Sequence, residues 1–230
     1  MRIKEFFSGN YSHDFWKKLS LILIVEFLGV LMIAWALRPV WVDSDWTYLP
    51  FNGYISGLGG GRLEGNVGAW VFMIGFIVFA ILGTSWNAYL YQEYREISKF
   101  YAIFLSMVLE ISLIAVAFVG IFDGNWPTPN ISGELHSRGS DVAFLGNTLA
   151  AVLGWIAIAY AYWKTSPENR REMAHPGKLL IMIVWLVIAI LIFTEFGGPF
   201  WQWILMLSLM NYIFWMNCFF PKTLNPNQKE

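Results

Sequence analysis

Long apolar runs without charged side chains are the feature that most constrains how this chain folds. Residues 67–90 and 142–163 contain no Asp, Glu, Lys or Arg. Each run is close to the ~20 apolar residues that a helix needs to cross the hydrocarbon core of a bilayer. Only 13% of all residues are charged, which is about half the share found in soluble domains. The sequence therefore predicts an integral membrane protein.

The predicted fold is all-α, a polytopic membrane protein with one six-transmembrane-helix bundle. Residues 1–18 are predicted as a cytoplasmic N-terminal segment, residues 19–220 as the transmembrane domain, and residues 221–230 as a cytoplasmic tail. The Gly197-Gly198-Pro199 sequence predicts a tight turn between the last two spans, because glycine and proline stop helices. The six predicted helices are approximately Leu19–Val40, Val67–Leu90, Phe100–Phe122, Val142–Trp163, Leu179–Phe196 and Phe200–Phe220.

Lys and Arg residues are distributed unequally between the two sides of this predicted bundle. Twelve of the fifteen lie on the side of the chain termini, and the other side has only Arg38, Arg62 and Arg138. By the positive-inside rule, both termini are cytoplasmic. Two long loops, about residues 41–66 and 123–141, are then extracytoplasmic, and we expect both to be ordered. The expected location is the plasma membrane.

The glycine-rich stretch GYISGLGGGRLEGN, Gly53–Asn66, raises the question of a nucleotide site. A Walker loop needs Gly-Lys-Ser/Thr after its glycines, whereas Arg62 and Leu63 follow here. The dinucleotide pattern G-x-G-x-x-G also fails, because Arg62 occupies the position of its third glycine. The loop is predicted to be extracytoplasmic as well, away from cytosolic nucleotides. These patterns indicate a role other than nucleotide binding.

The segment YISGLGGGRLEGNVGAWVFMIGFIVFA resembles the first signature of a six-helix membrane family, a short IS-x-x-G motif before the second helix. The second signature is a His at the outer start of the fourth helix, similar to HSRGSDVAFLGNTLAA from His136. The relatives are the damage-regulated autophagy modulators, the GPI-anchor lipid-remodelling proteins and a prokaryotic branch of unknown function. Over residues 19–220 the resemblance implies six helices and lipid handling. Gly60, Gly61 and Arg62 depart from the family, whose members often have proline and few glycines there.

The loop also has a physical interpretation that does not depend on the family. Glycine adopts positive φ and lets backbones approach closely, so the loop is predicted to form an ordered cap between helix ends. Its N–H groups can bind an anion such as a lipid phosphate, with Arg62 adding positive charge. A flexible linker and a cap without an anion are the alternatives. The predicted ligand-binding residues are Ser56, Gly57, Gly59, Arg62 and His136.

Among the polar side chains within the predicted spans, the candidates for an intramembrane role are Glu26, Glu110, Asn147 and Asn211. A charge near mid-bilayer costs at least ~2.5–3.5 kcal/mol on insertion scales, so such residues usually face the bundle interior or stay protonated. We expect Glu110 to be neutral and hydrogen-bonded to Ser106 or Asn211. A proton-coupled role for the two glutamates is the alternative to structural hydrogen bonding.

The fourth predicted helix has small residues at intervals of three and four positions. Such residues allow helices to pack closely. A groove for a lipid tail is the alternative use of the same surface. The residues are Asn147, Ala150, Gly154, Ala157 and Ala161.

Polar residues precede this helix in the sequence. Ser140 or Asp141 is predicted as its N-cap. His136 is a candidate general base oriented by Asp123 or Asp141, which makes these three the candidate catalytic residues. No G-x-S-x-G or H-E-x-x-H motif is present. Only one histidine is predicted to be extracytoplasmic, so we expect no metal site there. Zinc sites rarely rely on carboxylates for every other ligand.

The leading functional prediction is a non-catalytic, lipid-interacting membrane protein with an outward-facing polar pocket under the glycine-rich cap. Its predicted lining is Ser56, Arg62, Asp123, His136 and Asp141. The alternatives are an enzyme acting on lipid acyl or phosphate groups, a small proton-coupled transporter, and an accessory subunit of a larger membrane complex. His136 would be the base of the enzyme, and Glu26 and Glu110 would serve the transporter.

The expected partners are membrane lipids, together with either a membrane-protein partner or a second copy of the chain. No cofactor and no nucleic acid is expected. Cys218 is the single cysteine, so no internal disulfide can form. Asn130-Ile131-Ser132 matches a glycosylation acceptor on the predicted outer side.

Overall fold

Every regular element in the described part of the chain is helical, as predicted. The computed structural model describes residues 2–38, 53–63, 65–122, 131–165, 170, 175–221 and 224. A 3₁₀ helix, Ile55–Gly59, lies between α2 and α3. The α-helices are α1 (Ile3–Ser8), α2 (His13–Ala36), α3 (Val67–Arg95), α4 (Lys99–Ile121), α5 (Ile131–Lys164), α6 (Pro176–Phe196) and α7 (Pro199–Phe219).

Five of these helices, α2 to α6, are long and apolar enough to cross a membrane. The protein is therefore a membrane-type helical bundle. α7 is as long as α6, with 21 residues, but it includes the amide side chains of Gln202, Asn211 and Asn217. It corresponds to the sixth predicted span and is not among the five helices that qualify by length and composition.

Local sequence signals explain where several helices begin and end. Ser12 and Ser98 precede α2 and α4, and their hydroxyls accept hydrogen bonds from backbone N–H groups of the first turn, the usual N-cap arrangement. Gly197 and Gly198 have φ angles of 60° and 85°, and Pro199 begins α7. Proline suits the first turn of a helix because no N–H is needed there. The predicted tight turn between the last two helices is confirmed.

α5 begins at Ile131, not at Val142 as the apolar pattern indicated. His136, Ser140 and Asp141 therefore lie within the helix, and the N-cap prediction for Ser140 or Asp141 was wrong. An ion pair between Glu134 and Arg138, with 2.6 Å between the charged atoms, supports the early turns. With 34 residues, α5 is about 51 Å long and exceeds the ~30 Å hydrocarbon core. The apolar pattern marks only its membrane-embedded part.

The long helices form a closed ring. Each helix from α2 to α7 packs against the next one in the chain, and α7 returns to pack against α2. Small residues let neighbouring helices approach, as expected for membrane bundles. A Cβ atom added at Gly146 of α5 would lie 2.9 Å from the Cβ of Ser112 in α4. A Cβ atom added at Gly83 of α3 would lie 2.5 Å from a methyl carbon of Leu113.

The N-terminal residues pack against one end of this ring, which we call the α1 end. The Tyr11 hydroxyl donates a hydrogen bond of 2.6 Å to the carbonyl of Ser85, and the Ser85 hydroxyl donates one of 2.7 Å to the carbonyl of Phe6. Burial raises the pKa of Tyr11 to about 12, so this hydroxyl remains a neutral donor at physiological pH. Gly9 has a φ angle of 70° and lies directly against the backbone of Ala88.

We expect Gly9→Ala to destabilise the attachment of α1. The new Cβ would collide with the Ala88 backbone, and the positive φ angle strains any L residue. The expected loss is at least ~1–3 kcal/mol in the free energy of unfolding, measured on detergent-purified protein. Gly29→Ala is the matched control, since no atom lies within 4 Å of its added Cβ and alanine favours the helix. Equal stability of the two variants would contradict the prediction.

Candidate functional site

The glycine-rich segment folds into a compact structure across the second end of the ring, which we call the loop end. Ile55, Leu58 and Gly59 are buried, and the 3₁₀ helix contacts α2, α3, α4 and α7. A Cβ atom at Gly59 would lie 2.8 Å from the ring of Phe72. Glycine is required there because the segment passes directly over an aromatic side chain of α3.

Hydrogen bonds tie this segment to both α2 and α7. The backbone N–H of Ile55 donates to Oε1 of the buried Gln202 at 2.7 Å. The indole N–H of Trp203 donates to the carbonyl of Gly53 at 2.9 Å. Arg38, just after α2, donates to the carbonyl of Gly57. The segment therefore bridges the helices that close the ring.

Arg62 extends from the same segment to the end of α4. Its side chain is 4% exposed, and its guanidinium donates to the carbonyl of Ile121 at 2.5 Å and to the carbonyl of Gly120. The guanidinium carbon also lies 5.9 Å from the ring centroid of Trp70. The last carbonyls of a helix lack intrahelical donors and carry partial negative charge, so a cation is favourable there.

His136 binds the next carbonyl of the same helix end. Its Nδ1 lies 2.6 Å from the carbonyl oxygen of Phe122, so Nδ1 carries the proton and donates it. We call Arg62, His136 and the three carbonyls they bind the α4 clamp. Among the described residues, a backbone carbonyl therefore orients the imidazole ring. The sequence predicted that Arg62 and His136 bind a ligand. In the structure both side chains instead contact the C-terminal end of α4.

The residues predicted to line an outward polar pocket lie in different places. Ser56 faces the interior of the ring, whereas Arg62 and His136 belong to the α4 clamp. Asp141 is exposed on α5. Asp123 and Asn130 lie outside the described residues.

A long cavity runs through the interior of the ring, with Ile55 and Ser56 at the loop end and Tyr94 and Tyr212 at the α1 end. Its walls come from α2, α3, α4, α5 and α7. Phe76 and Tyr94 both line it on α3 and are 18 positions apart, which corresponds to about 27 Å along the helix. The cavity is narrow: the space available to the centres of water-sized molecules is about 70 Å³, within about 1120 Å³ of space between atoms that includes open solvent.

The cavity wall is uncharged along its whole length. Leucine, phenylalanine, alanine and methionine dominate, and no Asp, Glu, Lys, Arg or His lines it within the described ranges. The polar side chains that do line it are neutral amides and hydroxyls. Such a space favours apolar matter, since a charge buried without a partner is costly.

Glu110 lies beside this cavity and is held by α3. One carboxylate oxygen accepts a hydrogen bond of 2.7 Å from the Thr84 hydroxyl, and the other accepts one of 2.9 Å from the Asn87 amide. The prediction that Ser106 or Asn211 would be the partner was wrong. The Asn211 amide instead lies 3.3 Å from the sulfur of Met182. Which helix faces a buried glutamate depends on tertiary packing, which sequence spacing does not reveal.

Neither intramembrane glutamate lines the cavity. Glu26 on α2 has one carboxylate oxygen buried without a hydrogen-bond partner among the described residues. Asn147 does line the cavity, and its amide donates to the Ser112 hydroxyl at 2.5 Å and to the Ala143 carbonyl at 2.7 Å. The hydrogen bond from Asn147 to Ser112 joins α5 to the neighbouring helix α4.

Some of the small residues of α5 lie in helix packing, and others border the cavity; a groove for a lipid tail stays a prediction. Ala157 and Ala161 are buried in helix packing. Ala150 lines the cavity, and Gly154 leaves room for the hydroxyls of Tyr94 and Tyr212. The same face of α5 therefore packs at one end and forms a cavity wall further along.

No protein-family model matches the chain, and neither a curated protein nor a solved structure does. The described residues contain no group of three side chains suited to hold a metal ion. The resemblance to the six-helix lipid-handling family stays a prediction.

We expect Arg62→Ala to destabilise the protein in the absence of any ligand. The substitution removes two buried, charge-assisted hydrogen bonds and leaves the α4 carbonyls without these donors, a loss of about 2–4 kcal/mol. Unfolding of detergent-purified protein measures this loss. Arg138→Ala is the matched control, because its exposed ion pair contributes about 0–1 kcal/mol. An unchanged stability of Arg62→Ala would show that the clamp is not structural.

We expect Glu110→Leu to cost more stability than Glu110→Gln. Glutamine keeps an oxygen that can accept from Thr84 or Asn87, whereas leucine removes both of these hydrogen bonds, at a cost of about 0.5–1.5 kcal/mol for each. Thr84 and Asn87 then keep only the carbonyls of Ala80 and Ser106 as acceptors. The two variants have similar size, so packing changes little. Thermal unfolding of both in the same detergent is the measurement. Equal loss for glutamine and leucine would contradict the hydrogen-bonding role.

Proposed function

We propose that this protein binds the apolar chain of a membrane lipid, or of a lipid-like molecule, inside its helical ring. The observation that carries the proposal is the uncharged cavity running from Ile55 to Tyr94. Its length of about 27 Å is close to the ~30 Å hydrocarbon thickness of a bilayer. Ligand sites in proteins are usually concave and mostly apolar, with a few placed polar groups, and this cavity has that character.

The proposed topology has six spans, with α7 as the sixth and both termini in the cytoplasm. The Lys and Arg distribution supports this orientation. α7 packs between α6 and α2, both of which qualify as spanning helices, and this supports its place in the membrane. The loop end is then extracytoplasmic, and the plasma membrane is the proposed location.

The proposed role of the glycine-rich segment is closure of the cavity at the loop end. Ile55 and Ser56 face the cavity while Gln202, Trp203 and Arg38 hold the segment in place. This changes where the ligand is expected: within the ring, instead of in a polar pocket above it. Lipid interaction remains the proposed function, as the family resemblance implied.

Binding is proposed rather than catalysis, because the described cavity wall offers no acid, base or charged group. His136 donates to Phe122 and lies in the α4 clamp, away from the cavity wall. The two glutamates of the transporter alternative also lie outside the cavity wall. No observation in the described residues favours the accessory-subunit alternative over ligand binding.

The test is to fill the cavity and measure lipid retention. Ala150 is buried and lines the cavity, so Ala150→Phe should reduce tightly bound lipid at least several-fold in native mass spectrometry of gently extracted protein. Leu149→Phe is the matched control, since Leu149 is the adjacent residue and faces outwards. A thermal unfolding measurement of both variants establishes that they are folded.

One lipid class retained at fixed stoichiometry by the wild type and by Leu149→Phe, and lost in Ala150→Phe, would support the proposal. Loosely bound bulk lipid, equal in all three proteins, would overturn it. Repeating the measurement with Ala143→Leu, which also narrows the cavity from α5, protects the test against misfolding of a single variant.

A further inference from the structure

Two tyrosine hydroxyls at the α1 end of the cavity have no hydrogen-bond partner among the described residues. Tyr94 on α3 is 2% exposed and Tyr212 on α7 is 8% exposed, and both side chains line the cavity. Neither hydroxyl oxygen is among the fully buried polar atoms that lack a partner in the described residues, so both are accessible from the cavity. A molecule inside the cavity can therefore reach both hydroxyls at this end.

The two hydroxyls border the same small space beside α5. A Cβ atom added at Gly154 would lie 2.8 Å from Oη of Tyr94 and 3.5 Å from Oη of Tyr212. The missing side chain at Gly154 therefore makes room for the two hydroxyls. Three helices converge there, and two of them direct a hydroxyl into the same region.

Other tyrosines at comparable positions are satisfied by the protein itself. Tyr11 donates to the Ser85 carbonyl, and Tyr101 donates to the Leu153 carbonyl at 2.5 Å. The Tyr89 hydroxyl lies 3.1 Å from Nδ1 of His13. The fold thus provides partners for these three hydroxyls. Tyr91 also lines the cavity, and Tyr94 and Tyr212 differ from it because their hydroxyls border one shared position at Gly154.

The chemistry of the site defines the group that it can bind. Each hydroxyl can donate one hydrogen bond, so an acceptor oxygen placed between them satisfies both. No cation lines the cavity within the described residues, so an anionic head group would be buried without compensation. A hydroxyl or carbonyl oxygen at the end of an apolar chain meets both conditions.

We propose that Tyr94 and Tyr212 form a recognition site for the neutral, oxygen-bearing end of an amphiphile whose apolar chain occupies the cavity. This inference rests on the proposed lipid-binding function and specifies its ligand class. The polar end lies at the α1 end of the bundle, and the chain extends towards the glycine-rich segment. Gly154 is a positioning residue, because its missing side chain makes room for the Tyr94 and Tyr212 hydroxyls.

The test compares probes with the same chain and different ends. Hexadecan-1-ol, 2-hexadecanone, hexadecane and hexadecanoate compete with tritiated hexadecan-1-ol for the purified wild-type protein in detergent. The alcohol and the ketone should bind about tenfold more tightly than the alkane, as expected for one or two added hydrogen bonds. The carboxylate should be the weakest competitor of the oxygen-bearing probes.

The variants remove the hydroxyls without changing the shape of the cavity. In Tyr94→Phe combined with Tyr212→Phe, the alcohol and ketone should fall to the affinity of hexadecane, which itself stays unchanged. Gly154→Ala should reduce the same preference, because the added Cβ would displace the Tyr94 hydroxyl. Tyr160→Phe is the control, because Tyr160 lies exposed on α5. Unfolding measurements accompany all variants.

The outcomes separate this inference from the function on which it rests. A wild-type protein that binds alcohol and alkane equally would overturn the tyrosine site and leave chain binding supported. A preference for the alcohol that survives in the double variant would also overturn the site, because the preference would then arise from another part of the protein. Failure of every probe to bind the wild type would overturn the proposed function and this inference together.

Discussion

The hydrogen bonds at the C-terminal end of α4 hold the loop end of the structure together. The last carbonyls of any helix need donors from elsewhere, and in a membrane bundle water is not available to every helix end. Here Arg62 and His136 provide donors from the glycine-rich segment and from α5. Because the same segment is also bonded to α2 and α7, satisfying one helix end links helices on opposite sides of the ring. The interior can then stay open without the helices collapsing inwards.

The sequence could predict those features of the fold that depend on residues close together in the chain. Apolar runs predict the membrane helices, and the Gly197-Gly198-Pro199 sequence predicts the final turn, because both signals depend on neighbouring residues alone. The start of α5 was missed because its first turns are polar, and hydropathy detects only the apolar part of a helix that is longer than the bilayer is thick.

Side-chain partners could not be predicted, because they depend on how helices are rotated and paired. Thr84 and Asn87 bind Glu110 from an adjacent helix, yet nothing in their spacing distinguishes them from other polar residues. Arg62 is the clearest case: a cation in a glycine-rich loop suggests an anionic ligand, and its actual partners are backbone carbonyls. The tyrosine pair was missed for a related reason, since interfacial tyrosines are common in membrane proteins and only the tertiary structure brings these two together.

The turn between α6 and α7 has a consequence for how the chain enters a membrane. α6 has the highest mean hydropathy of the five apolar helices, 2.8, whereas α7 does not qualify as a span by composition. With Gly197 and Gly198 alone between them, the two helices form one tight hairpin. On the proposed six-span topology, they enter the bilayer as one helical hairpin, and the apolar excess of α6 offsets the amides of α7. The unit of insertion here is therefore a pair of helices, and hydropathy averaged over the hairpin describes it better than the value of either helix alone.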